Sequence, residues 1–178
     1  MTKKSFPLSR VYGLLEPGPV VMVTTAGKER ANVMTLSWHT MLEFEPPLVG
    51  CVISNRNYTF GILTATKECV INIPTAELAE KMVACGNHSG RTVDKFEALG
   101  LTPVAAQCVK APLIGECYAN LECRLADDQL VAPYNFFILE VLKAWVDPAQ
   151  QQPQTLHHQG KGVFMVAGET IRLPSKMK

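Results

Sequence analysis

The sequence of 178 residues lacks the glycine-rich loops that bind nucleotides, since it contains neither G-x-G-x-x-G nor G-x-x-x-x-G-K-[ST]. A Rossmann pyrophosphate site and a nucleotide P-loop are therefore not expected. The six cysteines form no C-x-x-C pair and have no histidine at metal-ligand spacing, so no metal site is predicted. We expect reduced, largely buried thiols; a redox pair of Cys117 and Cys123, which share parity on a strand-like segment, is the minor alternative.

The chain also lacks long apolar runs and an excess of charge. Its longest apolar stretches, such as PVVMV and FFILEVL, are too short to cross a bilayer, and the N-terminal decapeptide has no apolar run of the signal-peptide kind. A formal net charge of +1 provides no general field for nucleic acid or a membrane surface. We expect one cytoplasmic domain covering residues 1–178, in which any anion site is local.

Short segments of β-branched and apolar residues alternate with turn signals, as is typical of strands. Apolar spacing indicates three short helices: one capped by Thr59, one from Thr75 to a stop at Gly86, and one over residues 93–100. This order is not a regular βαβ alternation, so the sequence predicts a mainly β, α+β fold, an antiparallel barrel with helices attached. The predicted strands are 19–25, 30–42, 47–54, 69–74, one each in GECYANLECRLADDQL and YNFFILEVLKAWV, and a last one in GVFMVAG.

Three polar clusters lie at the ends of strand-like segments, and the first is NVMTLSW. Such a strand can lay backbone amides and small polar groups along the edge of a flat heterocycle. An ordinary strand with Trp38 in the core is the alternative. Alternation gives one face with Asn32, Met34, Leu36 and Trp38 and another with Val33, Thr35 and Ser37.

The second cluster, SNRNYT, joins a buried strand to a helix. Arg56, two hydroxyl groups and the free N–H groups of a helix start suit a phosphate monoester. A solvated loop whose polar side chains only cap the helix is the alternative. The candidate residues here are Ser54, Asn55, Arg56 and Thr59.

The third cluster is NHSGRTVDKFEALG, which reads equally well as a solvated turn before a short helix. Gly90 allows close approach of the backbone to a ligand, and Ser89 offers a donor. Arg91 and Lys95 add positive charge, with Asp94 as the acid immediately beside them. Because two basic loops in a small domain both adjoin short helices, we favour a phosphate-bearing ligand bound by both.

Taken in order, EPGPVVMVTT, NVMTLSWHTMLEFEPPLVG, SNRNYT, CVINIP and NHSGRTVDKFEALG resemble the flavin reductase-like family, and in particular its flavoredoxin branch. The resemblance runs from about Glu16 to about Gly100 and continues more weakly to the last strand. It implies a homodimer of six-stranded antiparallel split barrels, each holding non-covalent FMN near the subunit interface.

The resemblance also implies roles for individual residues. NVMTLSW lies beside the isoalloxazine, SNRNYT takes the phosphate, and Lys95 lies near the ring, where its charge stabilises the reduced flavin. Phe164 supplies an aromatic contact to the ring. Asn135 stands where relatives often have a histidine close to the flavin, which removes a titratable group from that position. The implied cofactor-binding residues are Asn32, Met34, Thr35, Leu36, Ser37, Trp38, Ser54, Asn55, Arg56, Thr59, Ser89, Gly90, Arg91, Lys95 and Phe164.

The positions of three histidines suggest different environments. His157 and His158 leave a polar linker and are expected to be solvent-exposed rather than metal ligands, and His39 is either a surface residue or a neighbour of the ring.

The leading hypothesis is an FMN-dependent oxidoreductase that takes reducing equivalents from NAD(P)H and passes them to flavin or another acceptor. The alternatives are an FMN-containing electron carrier without NAD(P)H oxidase activity, and a ligand- or heme-binding barrel without redox turnover.

Overall fold

The computed structural model describes residues 3–11 and 18–175, so Glu16 and Pro17 of the first family motif lie outside the described residues. Its strands are β1 (Lys4–Phe6), β2 (Val21–Ala26), β3 (Ala31–Leu36), β4 (His39–Phe44), β5 (Pro47–Val52), β6 (Glu68–Ile73), β7 (Pro103–Val104), β8 (Leu113–Ile114), β9 (Ala119–Asp127), β10 (Phe136–Val146), β11 (Leu156–Gly160) and β12 (Val163–Val166). Its α-helices are α1 (Tyr58–Thr66), α2 (Ala79–Asn87), α3 (Lys95–Ala98) and α4 (Val131–Tyr134), with 3-10 turns at Leu8–Arg10 and Ala76–Leu78.

The main sheet is antiparallel throughout and has the order β3-β2-β6-β9-β10-β5-β4, with β1 added to β10. The long strand β10 allows this arrangement, because its first half pairs with β5 and its last residues pair with β1. The terminal strands β3 and β4 do not pair with each other, so the barrel is not closed. The hairpins β7–β8 and β11–β12 form separate two-stranded sheets.

This architecture confirms the predicted mainly β fold with short helices. The main sheet has eight strands rather than six for two reasons. β1 pairs with the last residues of β10, and the segment 30–42, predicted as one strand, forms two. Ser37 and Trp38 interrupt that segment, so that β3 pairs with β2 while β4 pairs with β5. No helix among the described residues is long and apolar enough to span a membrane.

The sheet near β2 buries both of its faces, as the two-residue periodicity of a strand allows. Val21 and Val23 point into the barrel core, whereas Val20 and Met22 contribute to a second cluster beneath α2 and α3. Leu78, Met82 and Cys85 are buried in that second cluster, as their helical spacing predicts. The barrel core is sealed by α1, whose Leu63 is fully buried and whose Phe60 meets Phe137 edge-on at 5.3 Å between ring centroids.

The boundaries of all three predicted helices differ from the sequence predictions. Thr59 lies inside α1, whose N-cap is Asn57. The helix predicted from Thr75 to Gly86 begins with the 3-10 turn Ala76–Leu78 and continues as α2 to Asn87. The helix predicted over 93–100 is the shorter α3, whose N-cap is Asp94. Five of the six cysteines are buried and Cys108 is exposed; Cys123 lies opposite Cys69 in the sheet register.

Asn72 connects three parts of the fold from a fully buried position on β6. Its Nδ2 donates to the carbonyl of Met22 at 2.9 Å, and its Oδ1 accepts from the Ile114 amide at 2.9 Å and from Asn120 Nδ2 at 2.7 Å. Asn72 therefore satisfies buried groups from β2, β8 and β9 at once.

We expect Asn72→Ala to lower the free energy of unfolding by about 3 kcal/mol, because the Ile114 amide and the Asn120 side chain lose a buried partner. Urea unfolding followed by tryptophan fluorescence measures the change. The matched control is Arg124→Ala, which breaks an exposed ion pair with Glu140 and should cost about 0.5 kcal/mol or less. Equal effects of the two substitutions would contradict the role given to Asn72.

Candidate ligand-binding site

A cavity of about 310 Å³ lies beside the edge strand β3. The start of α1, the end of α2 and the chain from 88 to 95 complete its walls. None of the described residues that line it is acidic, although the chain as a whole is close to neutral. The lining residues are Asn32, Met34, Thr35, Arg56, Asn57, Tyr58, Thr59, Cys85, Gly86, Asn87, His88, Ser89, Gly90 and Lys95.

Two turns of the same local design border this cavity. Ser54 Oγ accepts from the backbone N–H of Arg56 at 3.3 Å, and Ser89 Oγ accepts from the backbone N–H of Arg91 at 3.3 Å. In each turn a serine hydroxyl therefore fixes the backbone two residues on, as Ser-turns commonly do. The second and third polar clusters thus meet at a single cavity, as the sequence predicts.

The side chain of Asn32 joins three segments in the cavity wall. Its Nδ2 donates to Thr59 Oγ1 at 2.8 Å, across β3 and α1. A Cβ on Gly90 would lie 1.9 Å from Asn32 Oδ1 and 2.8 Å from its Cγ, so only glycine allows this contact. Arg30 fixes the same loop from outside by donating from Nη2 to the carbonyl of Gly90 at 3.0 Å.

The Asn32 carbonyl oxygen has no hydrogen-bond partner among the described residues although Asn32 is only 4% exposed. The other two such atoms, Thr25 Oγ1 and His39 Nδ1, belong to residues outside the cavity. An unsatisfied buried acceptor costs stability unless something donates to it. The Gly90 backbone lies against this oxygen, so Asn32 Oδ1 is a buried acceptor inside the cavity wall rather than a contact for a ligand.

Lys95 supplies a buried cation, and it is 5% exposed. Its Nζ donates to the carbonyls of Val33 at 2.8 Å and Cys85 at 2.7 Å, and these bonds connect β3 to α2. One of the three ammonium N–H groups is left to donate elsewhere. Burial lowers the pKa of Lys95, and the nearby Cys85 acts in the opposite direction. Burial raises the pKa of the Cys85 thiol to about 11, while Lys95 lowers it, so this thiol is neutral at physiological pH.

The N-terminus of α1 also faces this cavity. Its N-cap residue Asn57 makes no side-chain capping bond, although the Asn57 carbonyl accepts from the Phe60 N–H at 3.2 Å. Arg91 does not line the cavity; its guanidinium lies 5.3 Å from the ring centroid of Tyr58, which does. Arg91 thus supports the wall through a cation–π contact.

A second hollow of about 300 Å³ adjoins the first and shares Thr35, Gly86 and Asn87 with it. The hairpin β11–β12 forms its far wall, where His158 and Phe164 pack with ring centroids 5.1 Å apart. The remaining lining residues are Val20, Ser37, Met82, Val83 and Gly162. The two hollows therefore share a wall, and together they are called the groove.

The structure brings ten of the fifteen predicted site residues to this groove. Those in the first hollow are Asn32, Met34, Thr35, Arg56, Thr59, Ser89, Gly90 and Lys95, and those in the second include Ser37 and Phe164. Leu36 is buried in the barrel core, and Trp38 is 70% exposed, which contradicts its alternative placement in the core. Ser54 shapes its turn, Asn55 is exposed, and Arg91 packs on Tyr58 without lining either hollow.

Asn87 and His88 are not among the predicted site residues, yet both line the first hollow; their place in the third polar cluster, directly before Ser89, is the signal for them. His158 is exposed, as predicted, but it lies on β11 and lines the second hollow beside the predicted Phe164. Asn135 lines neither hollow. It ends α4 with a φ of 56°, a left-handed conformation that asparagine tolerates. Its backbone carbonyl accepts a hydrogen bond from the Ile53 amide. His39 approaches the Pro19 carbonyl through Nε2 at 2.6 Å.

An open antiparallel barrel with short helices packed on it is the architecture of a split-barrel domain. The model described as "Flavin reductase like domain" matches residues 14–164, and the chain belongs to this family. Among curated relatives, the uncharacterized protein YddH of Escherichia coli (strain K12) is 31% identical over 172 residues, which cover 89% of this chain and 91% of YddH.

Solved structures confirm the split-barrel fold. An FMN-binding domain of a flavin reductases-like enzyme from Shewanella baltica superposes with a TM-score of 0.89 at 25% identity, covering 97% of this chain and 98% of that chain. A flavoredoxin from Methanosarcina acetivorans superposes with a TM-score of 0.77 at 27% identity, covering 89% of each chain. The family resemblance inferred from the sequence motifs is therefore confirmed.

We expect Gly90→Ala to destabilise the fold by about 1–3 kcal/mol, because its Cβ would force Asn32 away from Thr59. Thermal unfolding measures this change. Gly61→Ala on α1 is the matched control: nothing lies within 4 Å of its added Cβ, and alanine favours a helix, so stability should rise by about 0.5–1 kcal/mol. A Gly90→Ala protein as stable as the wild type would show that the close contact between Gly90 and Asn32 is not required for stability.

Proposed function

We propose that this chain is a redox protein that binds FMN non-covalently in the groove formed by the two hollows. It transfers reducing equivalents from NAD(P)H to flavin or another acceptor. When bound, FMN supplies the hydride and electron chemistry, and the protein supplies binding, orientation and charge. The family membership and the FMN-binding solved relatives support this proposal.

The phosphate of FMN fits the end of the groove where the two serine turns meet. Arg56 and the uncapped N–H groups of α1 offer charge-assisted and backbone donors to a dianion. The hydroxyl of Ser89 adds a further donor on the facing turn, and Gly90 keeps the backbone free of a Cβ. Among the residues that the structure describes, none of those lining this hollow is acidic, so their charges favour an anion.

The single observation that carries the assignment is that two serine turns from distant parts of the chain border one hollow, which Arg56 and Lys95 line. The described residues that line this hollow include no acid, so it suits the phosphate dianion of FMN. Thr35 is shared with the second hollow, which Ser37 and Phe164 also line, so the two hollows together suit a molecule with a phosphate at one end and a flat ring at the other.

The flavin ring fits the second hollow and the part of the wall shared with the first. Thr35 is held in place by the bond from its Oγ1 to the Met82 carbonyl at 2.5 Å, and Ser37 and Phe164 line the same hollow. Lys95 directs its remaining N–H bond from a buried position in the adjoining hollow. A fixed cation there stabilises negative charge that develops on the ring during reduction.

No separate nicotinamide-binding motif is present in the sequence, so the donor is proposed to reach the ring directly from the open side of the groove. An electron carrier of the flavoredoxin kind uses the same groove but is reduced by a partner protein. The likeness to a solved flavoredoxin favours keeping this second candidate.

We also propose a homodimer in which the exposed apolar surface of the edge strand β4 is covered. Trp38, Leu42 and Phe44 are 70%, 43% and 49% exposed, which is unusual for large apolar side chains on one short segment. Trp38 directly follows Ser37 of the ring hollow, so a second subunit at this surface would border the site. Sedimentation equilibrium of the purified protein tests this assembly.

Arg56→Ala should weaken FMN binding by about 1–3 kcal/mol, roughly five- to 150-fold in Kd, while riboflavin binding stays unchanged because it has no phosphate. Quenching of flavin fluorescence measures both constants. The control Lys67→Ala removes a cation at the opposite end of the same helix and should change neither. Equal losses for FMN and riboflavin would show that Arg56 does not bind the phosphate.

The absorbance spectrum of the purified protein, recorded before and after adding NADPH or NADH, tests the function as a whole. A bound flavin spectrum that bleaches, with continued loss of the nicotinamide in air, is expected for the oxidoreductase. A flavin spectrum that neither nucleotide bleaches assigns the carrier function instead. A colourless protein that does not quench added FMN refutes both.

A further inference from the structure

The Arg30 side chain holds one peptide group of the cavity wall from outside the groove. Arg30 lies between β2 and β3, is exposed, and lines neither hollow. Its Nη2 donates to the carbonyl oxygen of Gly90 at 3.0 Å, although Gly90 itself lines the first hollow. The Gly90 carbonyl is therefore bonded to a side chain that is not part of the hollow.

The N–H end of the same peptide group is also fixed. The N–H of Arg91 points away from the Gly90 carbonyl, because the two lie on opposite sides of a trans peptide bond. This N–H donates to Ser89 Oγ at 3.3 Å, and Ser89 lines the first hollow. The peptide group between Gly90 and Arg91 thus has its carbonyl on Arg30 and its N–H on the serine turn.

This orientation depends on Arg30 because the turn itself does not fix the Gly90 carbonyl. The turn bonds donated by the N–H groups of Thr92 and Val93 both go to the carbonyl of Ser89 and leave that of Gly90 to Arg30. Glycine has no Cβ, so the backbone rotation that reverses the peptide group after Gly90 meets little steric resistance. Without the guanidinium, the carbonyl is free to turn toward the hollow.

We propose that Arg30 is a positioning residue for the phosphate end of the groove: it keeps the Gly90 carbonyl out of the first hollow and leaves the N–H side of this turn to the anion. The inference rests on the proposed binding of FMN. A carbonyl oxygen only accepts hydrogen bonds, so a reversed peptide group would set the negative end of its dipole against the phosphate. Arg30 acts through the backbone of Gly90 rather than by contact with the ligand.

The positive charge of Arg30 is a second way in which this residue can favour an anion, and salt separates the two. A charge that acts through solvent is screened, with a Debye length of about 10 Å in 0.1 M salt and about 3 Å in 1 M salt. A fixed peptide orientation is a local property and persists in 1 M salt. Lys28 is the matched control, because it is an exposed cation between the same two strands that lines neither hollow.

The experiment measures Kd for FMN and riboflavin by fluorescence quenching, at low salt and in about 1 M KCl, for the wild type, Arg30→Met and Lys28→Met. Methionine keeps a long side chain but has no N–H donor. We expect Arg30→Met to raise the Kd for FMN about three- to tenfold at both salt concentrations, the effect of one hydrogen bond. The Kd for riboflavin, which has no phosphate, and both Kd values of Lys28→Met at high salt should not change.

Amide hydrogen exchange followed by NMR reads the peptide orientation directly, without a ligand. The N–H of Arg91 should exchange faster in Arg30→Met than in the wild type or Lys28→Met, because its bond to Ser89 is no longer held. Unchanged exchange in β10 shows that the barrel of the variant is intact.

Three results would overturn the inference and leave the proposed function intact. A loss of FMN affinity in Arg30→Met that disappears at high salt shows that Arg30 acts only through its charge. Equal losses for FMN and riboflavin show that it has no link to the phosphate. An Arg91 N–H that exchanges at the wild-type rate in Arg30→Met shows that Arg30 does not hold the peptide group. A wild type that does not bind FMN overturns the inference and the proposed function together.

Discussion

The groove depends on the contact between Asn32 and Gly90, because it joins three segments that are distant in sequence. β3 carries the amide, α1 supplies Thr59 as its partner, and the loop at Gly90 closes over it. The absence of a Cβ at Gly90 allows the loop backbone to lie against the strand. The serine turns and the helix end at Asn57 border the same hollow, so this one packing constraint helps to set the geometry of the first hollow.

Charge in the groove is a local arrangement rather than a property of the whole chain. The protein has a net charge of +1, yet Arg56 and Lys95 both line the first hollow, and no acid does so in the part of the chain that the structure describes. Lys95 shows how a cation is kept there without a salt bridge: two backbone carbonyls solvate the ammonium in place of water. A carboxylate partner would neutralise the charge that an anionic ligand needs.

The fold class and the meeting of the two basic loops could be predicted because both are written in short-range patterns. Strand periodicity and turn residues predict the barrel. The spacing of hydroxyl, glycine and arginine residues predicts the two basic loops. The break at Ser37 and Trp38 could not be predicted, since β-propensity runs unbroken through that segment and only pairing with β5 divides it. His158 was missed for a related reason: its place against Phe164 depends on the register of β11 and β12, which local sequence leaves open.

The position of β3 at the end of the main sheet has a consequence for the handling of the protein. Its outer edge carries backbone groups that no neighbouring strand satisfies, and the Val33 carbonyl is occupied there by Lys95. An unprotected strand edge is a template for association with other chains. The proposed ligand would lie beside Asn32, Met34 and Thr35 of this strand, so a preparation that loses it would be expected to associate more readily.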